Sequence, residues 1–383
     1  MSSANPFVYG EVVTASAFAD RDDERARLER DLAEGQKVFL ISPRRYGKSS
    51  LVRGVMKALA AKRILTVEVT VAASSSYVAF LEAYAQALLS ADTPVSRLRR
   101  WAGELLGAVR PEVRLDAGQA GEARFSLGFP TVRSARDTAR LAAEVFALPG
   151  KIAAARRQRM AIALDEFQTI GAFDGGNVEA ALRAAVQDQR AVGYVFSGSE
   201  PSLMERMLTP RRPFYKAGPV VRLEKIEEGT FAAFIDRRFA SSGLRPEDGL
   251  GAAIVELAEN VPYDVQRLAH ETWDDVRAAG RKTVGLEDLH LTLGRLLNQH
   301  HIVFEESWQR LTLAQRAVLR AAVLQNGREL LSAETRNRFR LGGASSIQAS
   351  LAALIKQDLL AKEGGRYLVV DSLLREWVAR KTF

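Results

Sequence analysis

The segment ISPRRYGKSS, residues 41–50, carries the residue types that grip a polyphosphate. Gly47 lets a backbone approach a charged ligand closely, Lys48 offers a cation to β- and γ-phosphates, and the Ser49 hydroxyl can ligate Mg²⁺. Backbone N–H groups wrapped at a helix N-terminus would add donors and positive dipole. Three of the four fixed positions of G-x-x-x-x-G-K-[ST] are met. Ser42 stands where the first glycine belongs, and Pro43 behind it favours extended backbone at Ser42 while removing one donor at the loop entry. The residues expected around the nucleotide are Arg45, Tyr46, Gly47, Lys48, Ser49 and Ser50. Arg44 and Arg45 also read as two solvated surface arginines.

A phosphate loop needs an acidic partner on another strand, and MAIALDEFQ, residues 160–168, provides one. Asp165 would hold Mg²⁺ with Ser49, and Glu166 would polarise a water for in-line attack on a γ-phosphate. Two carboxylates ending an apolar strand are costly unless a cation meets them. The expected catalytic set is therefore Glu166, Lys48 and Asp165, the metal ligands Ser49 and Asp165, and the cofactors ATP or ADP with Mg²⁺. FSGSEPSLM, residues 196–204, ends another strand; Ser197 or Ser199 could sense the γ-phosphate or the attacking water, or simply cap the helix that follows. Arg211 and Arg212, in TPRRPFYKAG, could act in trans on a second active site or belong to a solvated basic loop. The four histidines show no metal spacing.

The elements that would position these groups can be read from periodicity. KVFLIS (37–42), ILTVEVT (64–70), MAIAL (160–164), GYVFS (193–197) and VVRLEKI (220–226) read as strands. Helical patterns follow at 48–62, 77–91 and from about Asn177. Strands alternating with helices predict a parallel sheet covered on both faces. Residues 92–158 interrupt this rhythm with a helix at 95–109, a hairpin of EVRLD and EARFSLGF around AGQAG, and a helical stretch 135–158 broken near Pro149-Gly150. From Glu228 to His301 the pattern is helical throughout. The tail then reads helix, helix, helix, hairpin around Gly364-Gly365, helix. That is the order of a winged helix-turn-helix, with Ser345 or Ser346 as N-cap of its third helix. The expected domains are a core at 1–227 with the 92–158 insertion, a helical lid at 228–307 and a winged helix at 308–383.

The chain has 383 residues and no cysteine, which excludes disulfides and cysteine-ligated metals. The N-terminus lacks a signal-peptide pattern and no apolar run is long enough to span a bilayer, so the expectation is a soluble cytoplasmic protein without a membrane partner. The net charge of +8 is unevenly placed: residues 308–383 hold 13 Lys/Arg against 6 Asp/Glu. That suggests an anionic partner, nucleic acid first, or a basic surface kept for solubility.

The opening NPFVYGEVVTASAFADRDDERARLERDLAEGQKVFLISPRRYGKSSLV resembles the start of prokaryotic and archaeal ATPases of the STAND/AAA+ kind. LDEFQ resembles their Walker B segment, FSGSEPSLM their sensor strand, NVPYDVQRLAHETW their lid motif, and DSLLREWV the end of their winged helix. The resemblance implies an α/β fold: a P-loop NTPase (ASCE/AAA+-like) parallel sheet whose Walker B strand is not adjacent to the phosphate-loop strand, a helical lid and a C-terminal winged helix. It further implies Arg21 near the base or its flanking helix, Pro262 of the lid on the nucleotide, and Gln168 coupling the site to the rest. Asn260 replaces the glycine before that proline, and asparagine tolerates left-handed backbone.

Two functions follow as expectations. One is an ATP-hydrolysing switch whose state passes through the lid to the winged helix. The other is a DNA-binding AAA+-like loader or regulator, favoured by Arg336, Arg338 and Arg340 and opposed by a third helix whose only long polar residues are Gln348 and Lys356. Duplex DNA or a protein are the partners a winged helix could take, and oligomerisation is compatible with either.

Overall fold

The computed structural model describes residues 4–10, 20–91, 106, 109, 111–117, 123–173 and 177–381. The chain forms two compact units: Val12–Glu224, and Met1–Glu11 with Lys225–Phe383.

The first unit is built on five parallel strands in the order β2-β5-β6-β1-β7. They are β1 (Lys37–Ile41), β2 (Leu65–Thr70), β5 (Met160–Asp165), β6 (Val192–Gly198) and β7 (Val220–Arg222). A separate antiparallel hairpin joins β3 (Glu112–Ala117) to β4 (Ala123–Gly128). Strand β6 lies between β1 and β5, so the strand that ends in Asp165 is not adjacent to the one that enters the phosphate loop, as the family resemblance implies.

Side chains of β1 alternate between two cores, because successive residues of a strand face opposite ways. Val38 and Leu40 join Leu28 and Leu32 of α1 (Asp22–Ala33) and Leu51, Val52 and Val55 of α2 (Lys48–Ala61). Phe39 and Ile41 join the opposite cluster. That cluster includes residues of α3 (Tyr77–Ser90), α4 (Ala135–Arg156), α5 (Val178–Gln187) and α6 (Pro201–Met207). Helix α4 starts at a capping box in which Ser134 and Asp137 exchange hydrogen bonds. It runs unbroken through Pro149, against the expected break there. Leu141, Val145, Phe146, Leu148 and Ile152 are all buried along it, and that burial outweighs the roughly 3 kcal/mol a mid-helix proline costs. The strand expected at 220–226 is shorter, ending at Arg222. The helix expected at 95–109 and the hairpin tip fall mostly outside the described residues.

The second unit contains α7 (Glu228–Ser241), α8 (Leu250–Leu257), α9 (Pro262–Ala278) and α10 (Leu286–Gln309). Its helical run is interrupted by a two-residue parallel pair, β8 (Arg245–Pro246) and β9 (Thr283–Val284), a feature too short to show as periodicity. Residues 4–10 also belong here. Phe7 is buried with its ring 4.6 Å from that of Phe239. The Asn5 amide donates to His270 O and Asp274, Val8 N–H to Gln266 Oε1, and the Tyr9 hydroxyl to Glu271.

The tail of this unit is α11 (Leu313–Leu324), α12 (Ala333–Arg338), α13 (Ala344–Lys356), the hairpin β10 (Leu360–Glu363) and β11 (Arg366–Val369), and α14 (Ser372–Arg380). Gly364 and Gly365 both have positive φ, 53° and 81°, the geometry a two-residue hairpin turn requires. Helix α13 begins two or three residues earlier than expected. Gly343, in extended backbone, is the N-cap, and Ser345 and Ser346 lie in the first helical turn, exposed.

Candidate nucleotide site

Three strand ends of the first unit deliver the candidate site. Strand β1 leads through Ser42 and Pro43 into a turn whose residues Arg45 and Gly47 have φ of 70° and 85°. Left-handed residues separated by right-handed ones turn successive N–H groups to one side, which makes an anion-binding concavity. Gly47 is also the N-cap of α2, so the helix N-terminus opens on that concavity. Ser42 is fully buried, its N–H bonded to Gly198 O and its hydroxyl to Pro43 O. It does not take a left-handed φ, which explains how a residue with a Cβ occupies a position usually given to glycine. Tyr46 is buried, and Arg44 is exposed.

Lys48 is 6% exposed. Its ammonium is hydrogen-bonded to Asp165 Oδ1 and lies 3.6 Å from Glu166 Oε1. The Ser49 hydroxyl stands 3.4 Å from Asp165 Oδ2, so Lys48 and Ser49 take opposite oxygens of one carboxylate. Ser197, at the end of β6, donates to Asp165 Oδ1 at 2.7 Å. Burial pushes the Asp165 carboxyl up, but the Lys48 charge and the hydrogen bonds from Lys48 and Ser197 outweigh it, and the group is held below its ordinary value. Asp165 is thus an anion in the resting site.

Glu166 follows with left-handed backbone, φ 51°. Its Oε2 accepts from the Ser199 hydroxyl and from Gln168 Nε2, both at 2.6 Å. Gln168 is 7% exposed and its own Oε1 is buried without a hydrogen bond. A Cβ at Gly198 would sit 2.6 Å from that oxygen and 2.4 Å from Met204 Cγ, so Gly198 leaves the room in which Gln168 reaches Glu166. The structure therefore brings Lys48, Ser49, Asp165, Glu166, Gln168, Ser197 and Ser199 into one cluster.

Arg21 and Ser50 meet beside it, around a cavity of about 110 Å³ lined also by Arg25, Leu51 and Gly54. The Arg21 guanidinium is engaged by Glu24 at 2.8 Å and by Glu224 O. Arg212 pairs with the buried Glu179, and Arg211 is exposed with φ 73°. Pro262 belongs to the second unit, at the first turn of α9.

Sequence reasoning missed Glu68. This residue is the lone charge within β2, a signal that was available. Its side chain is 44% exposed, so the partial burial of the carboxyl raises it only modestly, with Arg53 opposing and Asp165 adding to the rise.

The lid segment makes its own network within the second unit. Asn260, with φ 55°, donates to Ile226 O at 2.7 Å. Asp264, fully buried, lies 3.0 Å from Arg267, which also reaches Asp371 at 3.5 Å. Asp371 caps α14 through the N–H groups of Leu373 and Leu374, and Arg375 of α14 pairs with Glu259 at 2.7 Å. The lid motif and the last helix of the winged domain are joined by buried or half-buried charge on both sides.

A family model described as a probable winged helix domain matches residues 302–380. Comparison with curated protein sequences gives no match. Among solved structures, the Walker-type ATPase of Pyrococcus abyssi is similar over 95% of this chain and 97% of that one, with 17% identity and a TM-score of 0.60. The Aeropyrum pernix ORC2 protein in ADPNP–ADP complexes is similar over 97% and 94%, with 14% identity and a TM-score of 0.52. The ORC1 protein of the same organism in complex with DNA is similar over 94% and 92%, again with 14% identity and 0.52. The chain has the fold of these P-loop ATPases, with a winged helix at its C-terminus. Among the described residues, no helix is long and apolar enough to cross a membrane.

Proposed function

We propose that this chain binds and hydrolyses ATP with Mg²⁺ and works as a switch, its nucleotide state passing through the helical lid to the winged helix. The observation that carries the reading is the cluster at the ends of β1, β5 and β6, where a buried lysine, two carboxylates and two serine hydroxyls converge beside a helix N-terminus. The likeness in fold to Walker-type ATPases adds support. In this reading the loop N–H groups and Lys48 bind the phosphates, which draws Lys48 away from the carboxylates. The Ser49 hydroxyl and Asp165 form a hard-oxygen pair of the kind Mg²⁺ prefers, and they would hold the ion. Bound there, Mg²⁺ would supply charge neutralisation at the β- and γ-phosphates. Ser199 and Gln168 occupy Glu166 Oε2, so Oε1, freed from Lys48, is the oxygen that takes a proton from water. The chain Glu259–Arg375 and Asp264–Arg267–Asp371 supports the relay from lid to winged helix.

The test is ATP turnover and ATP affinity for the parent and Glu166→Gln. The variant should lose about 10²–10⁴-fold in turnover while keeping its affinity. Unchanged turnover would remove the assigned base, and a parent that takes up no Mg·ATP would remove the whole reading.

A second reading, duplex-DNA binding through the winged unit, is favoured by the excess of cations in residues 308–383 and by the likeness in fold to an ORC1 protein solved with DNA.

A further inference from the structure

The tail of the second unit contains a groove of about 820 Å³ that does not involve the third helix of the winged fold. Arg316 and Arg320 line it from α11, Arg338 and Arg340 from the end of α12, and Lys381 from beyond α14; among the described residues, no acidic side chain lines it. The arrangement follows from the sequence. Leu313, Arg316, Ala317, Arg320 and Leu324 recur at helical spacing on one side of α11, while Val318, Leu319, Ala321 and Ala322 are buried on the other.

Arg316 is fixed in place by the carbonyls of Trp308 and Gln309, each at 2.9 Å. These acceptors are neutral and leave its charge intact. Arg338 lies over the Phe339 ring at 5.3 Å. Among the described residues, none of Arg316, Arg338 and Arg340 forms an ion pair. Lys381 differs, being paired with Glu305 and stacked over Trp377, so Arg316, Arg338 and Arg340 carry the field of the groove. Guanidinium groups suit phosphodiesters because their planar forks donate in pairs.

The exposed side of α13 presents a contrast. It offers Ser345, Ser346, Gln348, Ala349, Ala352 and Lys356, one cation and one side chain able to read a base edge in paired fashion. A surface so short of charge supplies little of the phosphate attraction that dominates affinity.

We propose that duplex DNA docks by its phosphate backbone in the α11–α12 groove, without regard to sequence, and not on the exposed side of α13. The proposal rests on the second reading above and deepens it by naming the surface.

The test uses the full chain and a fluorescein-labelled duplex of about 20 base pairs in two unrelated sequences, followed by anisotropy between about 50 and 200 mM salt. The groove variant is Arg338→Ala with Arg340→Ala, both exposed; the comparison variant is Gln348→Ala with Lys356→Ala. The groove variant should bind at least tenfold more weakly for both sequences. Its salt slope should flatten by roughly two, about 0.9 for each phosphate that is no longer neutralised. The α13 variant should stay within threefold of the parent. Circular dichroism melting confirms that each variant is folded; should the double variant melt early, Arg340→Ala alone serves, with about half the change in slope. The reverse pattern would overturn the proposal and leave DNA binding standing. A parent that binds no duplex at the lower salt would remove both the proposal and the second reading, while its ATP affinity, measured in parallel, still judges the first. Polyglutamate that competes with the duplex at lower concentration than unlabelled DNA would also overturn it, in favour of an acidic protein.

Discussion

Charge is buried at several points among the described residues, and two of them handle it in opposite ways. At the strand ends of the first unit, Asp165 and Glu166 keep about a quarter of their side-chain surface, 25% and 27%, and share their oxygens among Lys48, Ser49, Ser197, Ser199 and Gln168. In the lid motif of the second unit Asp264 keeps none, and faces Arg267 in a sealed setting. Carboxylates that remain open to solvent can exchange partners when a ligand arrives. A sealed pair cannot, since breaking it strands a charge away from water. The first arrangement suits binding and proton transfer, and the second suits rigid transmission.

The strongest way to break this contrast is to remove one partner from each. Arg267→Ala should destabilise the second unit by about 3–5 kcal/mol, as removal of one member of a buried pair does; urea unfolding followed by the fluorescence of Trp273, Trp308 and Trp377 reads it. A loss below 1 kcal/mol, within the range of about 0–1 for surface pairs, would place Asp264 and Asp165 in the same class. Lys48→Met should leave unfolding close to the parent while ATP affinity falls by about tenfold to hundredfold, the worth of charged hydrogen bonds. Equal damage to stability and affinity would mean that Lys48 is a structural cation.

Two smaller effects sharpen the comparison within the first unit. Gly198→Ala must displace Gln168 or Met204. Turnover should drop about tenfold at unchanged ATP affinity, short of the hundredfold a full ångström of misplacement can cost; a parallel loss of affinity would show that the damage reaches the loop. The smallest change concerns pH. Asp165 is held low, so it contributes stability above its unfolded value that is lost as pH falls through the lower folded one. Glu68 is held high, so it opposes folding at neutral pH and ceases to do so as pH falls and it protonates. Glu68→Gln should therefore raise the melting temperature slightly at pH 7 and leave it unchanged at pH 4. A variant that melts lower at pH 7 would mean that the Arg53 pair outweighs burial there.

Much of this was legible before the fold was seen, for reasons that differ by residue. A glycine-lysine-serine after an apolar strand and an Asp-Glu ending another are local patterns, and local patterns survive translation into structure. So does Gly364-Gly365, because only a tight turn needs two left-handed residues in a row. Pro149 misled because tertiary burial of its helix overrode a local preference, and Ser345 because Gly343 had already begun the helix. Gln168 stood out only through the family resemblance and Ser199 only as a sensor candidate after a strand; that they meet on one oxygen of Glu166 depends on Gly198, whose role appears only where β6 passes Gln168 and Met204. Asp264 and Arg267, three residues apart, look like a surface pair on any helix. Nothing local announces that α14 closes over them.

The docking of residues 4–10 against α9 and α7 has a practical and a mechanical side. A fragment cut at Lys225 would expose the hydrophobic seat of Phe7 on Phe239 and remove the bonds of Val8 to Gln266 and of Tyr9 to Glu271, so a soluble version of the C-terminal part should be built by circular permutation, with the first ten residues appended. Because the polypeptide passes between the two units twice, separating them into independent pieces takes two cuts instead of one.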